Sequence, residues 1–175
     1  RPCGEVDFIM SSTYHTTEGI VLKKTPYGEA DFWVRVLTPD FGKIDLRARG
    51  ARKRNAKLNA HFDFLDHVKV SFVKNGDRIP IITDSEKISE NRTLFSNSEI
   101  LLDAAKVVQT IDVLIPLDVK DKKLFLVTQN FFSEKSAGAA EFIKNVILHE
   151  GYGGAFALPK DAQEFIINKW PRLKN

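Results

Sequence analysis

The feature that most restricts this chain is a change in the spacing of its apolar residues close to residue 90. Before that point they tend to recur at every second position, the period of a strand with one buried face. Beyond it they recur at three and four, the period of a helix that buries one stripe. Strands first and helices after define an α+β chain in which the two kinds of element are segregated. With 175 residues there is material for one good core, or for two small ones sharing an interface.

The strands can be placed one by one. A β-rich run over 17–25 ends at Thr25-Pro26-Tyr27-Gly28, a strong turn signal. A second run over 30–38 puts Phe32, Val34 and Val36 on one face and Trp33, Arg35 and Leu37 on the other. Pro39-Asp40-Phe41-Gly42 then makes a tight connection. The third strand places Ile44, Leu46 and Ala48 on one face and Lys43, Asp45, Arg47 and Arg49 on the other. A long fourth strand is expected over 61–73, bent or bulged near Asp66, and Asn75-Gly76 signals a hairpin into a fifth over 78–85. Five short, mostly hairpin-linked strands suit an N-terminal five-stranded oligonucleotide-binding (OB) barrel, although other small barrels share the count.

The stretch over 42–57 carries seven basic residues, Lys43, Arg47, Arg49, Arg52, Lys53, Arg54 and Lys57, against one acid, Asp45. Expected to stand outward on a strand and the loop after it, they form the electrostatic footprint of a surface that tracks phosphates. A solvated charged face is the bland alternative. Trp33 and Arg35 on the neighbouring strand could add a stacking platform. A tryptophan there more often packs against a second domain or plugs the open end of a barrel. Net charge is only +3, so the signal lies in local clustering.

A C-terminal α-helical bundle is expected beyond residue 90. Ser96 and Glu99 fit a capping box, and Pro116 stops the helix that follows. Asp121 is placed to cap a second helix, and a third over 139–150 ends at Gly151. A short last helix begins near Asp161. The expected organisation is a poorly ordered extension over 1–15, an OB domain over 16–90 and a helical domain over 91–175. Residues 1–9 look unlike the rest, and Met10 reads as the natural start or near it.

Enzymatic motifs are missing: there is no GxSxG elbow, phosphate-binding Walker loop, HExxH pair or dinucleotide fingerprint. One cysteine, Cys3, permits neither an internal disulfide nor a CxxC zinc knuckle, and the four histidines are dispersed. We expect no catalytic residues, no cofactor, no metal and no membrane association; the expected compartment is the cytoplasm.

Several of these pieces, in order, resemble the N-terminal OB domain of the bacterial recombination mediator RecO family. They are TEGIVLKKTPYGEAD, VRVLTPDFGK and ARGARKR, with Glu18, Tyr27, Gly28, Glu29, Ala30, Asp31, Leu37, Thr38, Gly42, Lys43, Gly50, Ala51 and Arg52 at the matching positions. The helical segments LFLVTQNFF and FIKNVILHEGYGG resemble that family's helical domain less specifically. Many members carry a CxxC…CxxC zinc ribbon after the Gly-Tyr helix end; this chain reads as a short form without it, so zinc is not carried over.

The resemblance implies a DNA repair and recombination accessory protein. It would bind single- and double-stranded DNA, anneal strands, work with a RecR-type partner, and contact the C-terminal tail of single-strand-binding protein to load a recombinase. The alternatives are an RNA-binding OB protein and a protein-interaction module whose basic loop takes acidic peptides.

Overall fold

The computed structural model describes residues 12–53, 61–90, 95, 97–134 and 138–150. Five strands, β1 (Ser12–Tyr27), β2 (Asp31–Thr38), β3 (Gly42–Ala48), β4 (His67–Asn75) and β5 (Ile81–Ser89), are followed by three helices, α1 (Ser98–Leu114), α2 (Lys122–Glu134) and α3 (Ala139–His149). The strands close on themselves in the order β1-β2-β3-β5-β4, an OB-like ring. Every neighbouring pair is antiparallel except β3 and β5, which run parallel and meet in register at Arg47 and Ile81.

Alternation gives the ring two apolar faces. Val21, Val34, Val36, Ile44, Leu46, Val68, Val70 and Phe72 fill its interior. Their neighbours Ile20, Leu22 and Leu37 point outward, into a second core with Val107, Ile111, Phe125 and Ile143 of the helices. The unbroken apolar run at 20–22 is what such a doubly buried strand requires. Ring and helices are therefore joined by continuous packing.

Several boundaries differ from expectation. β1 begins at Ser12, and residues 12–15 pair with β4 from Ser12 opposite Asn75 to His15 opposite Phe72. The segment 61–66 is not strand. Leu65 adopts a left-handed φ of 67°, and the Asp66 carboxylate accepts from the Asp63 amide, so a turn interrupts the apparent alternation. Phe62 still reaches the ring interior, whereas Leu65 turns to the helical core. β5 lies about four residues later than expected, because 78–80 completes the hairpin.

Asn97, not Ser96, caps α1; its side chain accepts from the Glu99 amide at 2.8 Å. Ser96 lies outside the described residues, as do Gly151 and the expected last helix. Asp121 caps α2 as expected, accepting from the Leu124 amide at 2.8 Å. The α1–α2 connection lies over the β2–β3 turn, where the Asp118 amide donates to the Lys43 carbonyl at 2.9 Å.

Candidate nucleic-acid interface

The outward face of β2 and β3 is a ladder of cross-strand pairs: Leu37 with Lys43, Arg35 with Asp45, and Trp33 with Arg47. The C-terminal end of α1 covers one end of that ladder and leaves the other open. This divides the expected binding residues into groups with different fates.

Lys43 lies at the covered end, which corrects the expectation that it faces phosphates; Arg35, its side chain still 23% exposed, is drawn into the same contact. Lys43 is only 3% exposed. Its Nζ donates to the Asp112 carbonyl at 2.6 Å and to the Ile111 carbonyl at 3.4 Å, with the Asp112 carboxylate 3.7 Å away. Burial holds the ammonium below its ordinary pKa despite that carboxylate. Arg35 grips Asp45 through two hydrogen bonds of 2.7 Å and also donates to the Asp112 carboxylate. These bonds outweigh desolvation and raise its pKa. On Asp45, burial works upward, but the bonds from Arg35 and Trp33 prevail and lower its pKa. The four charges form a neutralised clamp between ring and helix, with no cation to spare for a ligand.

At the open end Arg47 is held in place yet accessible. Its Nε donates to Asp31 at 2.7 Å, its side chain is 34% exposed, and its guanidinium lies 5.2 Å from the centre of the Tyr27 ring. The Asp31 carboxylate also accepts from the Gly50 amide at 2.7 Å, pinning the start of the basic loop. That amide, and then Arg47, hold its pKa low. Arg49, Arg52 and Lys53 are exposed, and Arg52 donates to the Gly28 carbonyl at 2.7 Å. Arg54 and Lys57 lie outside the described residues.

Ring closure adds residues that the linear sequence did not single out. A cleft of about 520 Å³ opens between the β1–β2 turn, the end of β3 and the β4–β5 hairpin, lined by Tyr27, Arg47, Arg49, Asn75, Asp77 and Arg78. Beyond Tyr27 a hollow of about 220 Å³ is lined by Lys23, Thr25, Pro26, Tyr27 and Trp33, with Arg35 at its edge toward the clamp. Trp33 neither plugs the ring nor packs into the helical core. It stands edge-on to Tyr27, ring centres 5.2 Å apart. Arg78 and Lys23 are 55 residues apart in the chain (78 − 23), so only the closed ring shows that they flank one surface.

The histidines have structural partners. His61 bonds Ser85, and His67 reaches Glu18 at 3.1 Å. His149 meets Asp121 at 2.7 Å, and with Glu150 these form a group whose ligand atoms lie within 4.8 Å of one another. Asp121 is already engaged as the α2 cap, so the contact is read as a tie between the start of α2 and the end of α3. Among the described residues no helix is long and apolar enough to cross a membrane.

A ring of this strand order, cationic at one end and fused to helices at the other, defines the class: an OB-like domain with a helical companion. Comparison with known proteins identifies the family. The family described as Recombination protein O N terminal matches residues 10–90. The DNA repair protein RecO of Thermodesulfovibrio yellowstonii is 30% identical over 117 residues, covering 67% of this chain and 47% of that protein. The RecO protein of a Roseiflexus species is 28% identical over 131 residues, 75% of this chain and 46% of that protein. That of Dehalococcoides mccartyi is 40% identical over 72 residues, 41% of this chain and 28% of that protein. The chain belongs to the RecO family of DNA repair and recombination proteins. It spans just under half the length of the first two of these relatives.

Proposed function

We propose that this chain is a non-catalytic DNA-binding mediator of recombinational repair that holds DNA at the open end of the β2–β3 face. The observation that carries the reading is the convergence of Arg47, Arg49 and Arg78 on one cleft, beside the exposed Arg52 and Lys53. Five cations against Asp31 and Asp77 leave a net positive surface, and guanidinium groups suit the bidentate capture of phosphate oxygens. Contacts of this kind position a strand without reading its sequence. Strand annealing, recombinase loading, and contacts with a RecR-type partner and the tail of single-strand-binding protein belong to the same proposal, supported by family membership alone. Work on chromosomal DNA implies a cytoplasmic location.

The test is a salt titration of labelled oligonucleotides by fluorescence anisotropy. For a single strand, affinity should fall by about 0.7 log units per tenfold rise in salt for each phosphate neutralised. Reversing Arg49, Arg52 and Lys53 to glutamate should remove binding while the circular dichroism spectrum stays unchanged. A folded triple variant that binds like the parent would refute the site, and a strong preference for matched RNA would favour the RNA-binding alternative.

A further inference from the structure

Resting on that DNA-binding reading, we propose that Trp33 and Tyr27 form a stacking site for an unpaired base, so that this part of the surface distinguishes single strands from duplex. The two depressions at the open end have different chemistry and share Tyr27 as their dividing wall. On one side stand Arg47, Arg49 and Arg78; on the other lies the Trp33 hollow, with Lys23 and Thr25 on its β1 edge. A nucleotide has the same two-part character, an anionic phosphate and a flat π-face, and a strand crossing Tyr27 presents each to its match.

The aromatic pair is held ready for this. The Trp33 indole donates to Asp45, which Arg35 fixes through two further bonds, so turning the ring would give up that bond. Tyr27 packs edge-on against it and remains 44% exposed, with Arg47 on its ring face. Exposed, oriented aromatic faces bind bases of any sequence, because every base has a π-face. A duplex keeps its bases paired and stacked inside and offers phosphates and groove edges but no π-face. The cationic contacts therefore serve both forms of DNA, and the aromatic ones serve the single strand. Trp33 and Tyr27 act as specificity-determining residues.

The experiment uses the whole chain carrying Trp170→Phe, which leaves Trp33 as the sole tryptophan of the two in the sequence. It is titrated with an oligothymidine, with an abasic oligomer of the same length and charge, and with a duplex. The oligothymidine should quench Trp33 fluorescence and bind about tenfold more tightly than the abasic strand. Trp33→Leu should lose that factor on the oligothymidine and nothing on the duplex. Tyr27→Ala, at an exposed position that also borders the arginine cleft, should lose more on the oligothymidine than on the duplex, and it covers the case of a misfolded Trp33 variant. Equal affinity for base-bearing and abasic strands, or equal losses on single strand and duplex, would overturn the stacking site while leaving DNA binding intact. A parent protein that binds none of the three at low salt would overturn the DNA reading and this proposal with it.

Discussion

Replacing Lys43 with methionine separates the two roles that a basic residue in this stretch could have. The side chain keeps an unbranched apolar stem, one atom shorter, but loses the ammonium that meets the last carbonyls of α1. That helix has no basic residue in its own last turn, so Lys43 supplies from the ring the positive charge that a helix C-terminus favours. A charged hydrogen bond is worth about 1.5–3 kcal/mol, and the helix-end interaction in a partly buried setting up to about 2 kcal/mol. Its lowered pKa shows that burial outweighs the attraction of these groups for the charge itself, so the loss on substitution comes from the Ile111 and Asp112 carbonyls left without their donor. The expected net loss is about 2 kcal/mol.

Urea denaturation followed by circular dichroism reads this directly. With a slope of about 2 kcal/mol per molar the midpoint should fall by about 1 M. A second readout comes from pH. Because the folded-state pKa lies below the ordinary 10.5, the unfolded chain binds more protons between the two values. Parental stability should therefore gain on the methionine variant as pH rises through that window. DNA affinity and its salt slope should not change. An unchanged or raised midpoint would show that leaving those carbonyls unpaired costs no more than burying the ammonium, and a salt slope reduced by about one phosphate would show that Lys43 reaches DNA after all.

Gly42 has a φ of +70°, and a Cβ there would stand 1.9 Å from the Val119 carbonyl oxygen, so Gly42→Ala combines left-handed strain with a backbone clash. It should cost about 3 kcal/mol and lower the Tm by about 6–12 °C in a thermal melt. Asp31→Asn removes the carboxylate that restrains Arg47 and should tighten oligonucleotide binding about fivefold at low salt, measured by anisotropy. The same variant tests linkage. A lowered carboxyl pKa contributes stability that is present above the ordinary aspartate value and lost as pH falls through the folded one, so the acid limb of the variant's stability curve should be shallower than the parent's.

Much of the ring was legible because alternation and turn chemistry are local. The parity of Phe32, Val34 and Val36 against Trp33, Arg35 and Leu37 predicts the two faces of β2 as they occur. Parity alone cannot say what lies over a face. Arg35 and Lys43 do stand outward, but α1 contributes Asp112 to cover them, and that contact joins residues about seventy apart. A hint was present in Leu37 sharing a face with Arg35, and in the apolar triplet at 20–22, since an outward face bearing such residues has to be covered by something. The segment 61–66 misled for the opposite reason: Phe62 and Phe64 mimic strand parity, while the local bond from the Asp63 amide to Asp66 governs the backbone. Lys23 and Tyr27 come beside Trp33 through the β1–β2 hairpin, whereas Arg78 gains its meaning from ring closure, which a linear pattern does not encode.

The seam between β3 and β5 is the thinnest part of the wall: Arg47 faces Ile81 in register, and the Arg47 amide donates to the Pro80 carbonyl at 2.9 Å. Elsewhere the strands are stitched over seven or more residue pairs. Solvent deuterium should therefore enter the cylinder first at this joint, and its neighbours Arg47 and Ile81 both line the arginine cleft. A polyanion seated there would bridge the edges of the joint from outside and slow that exchange, making the weakest line of the sheet the one most stiffened by its cargo.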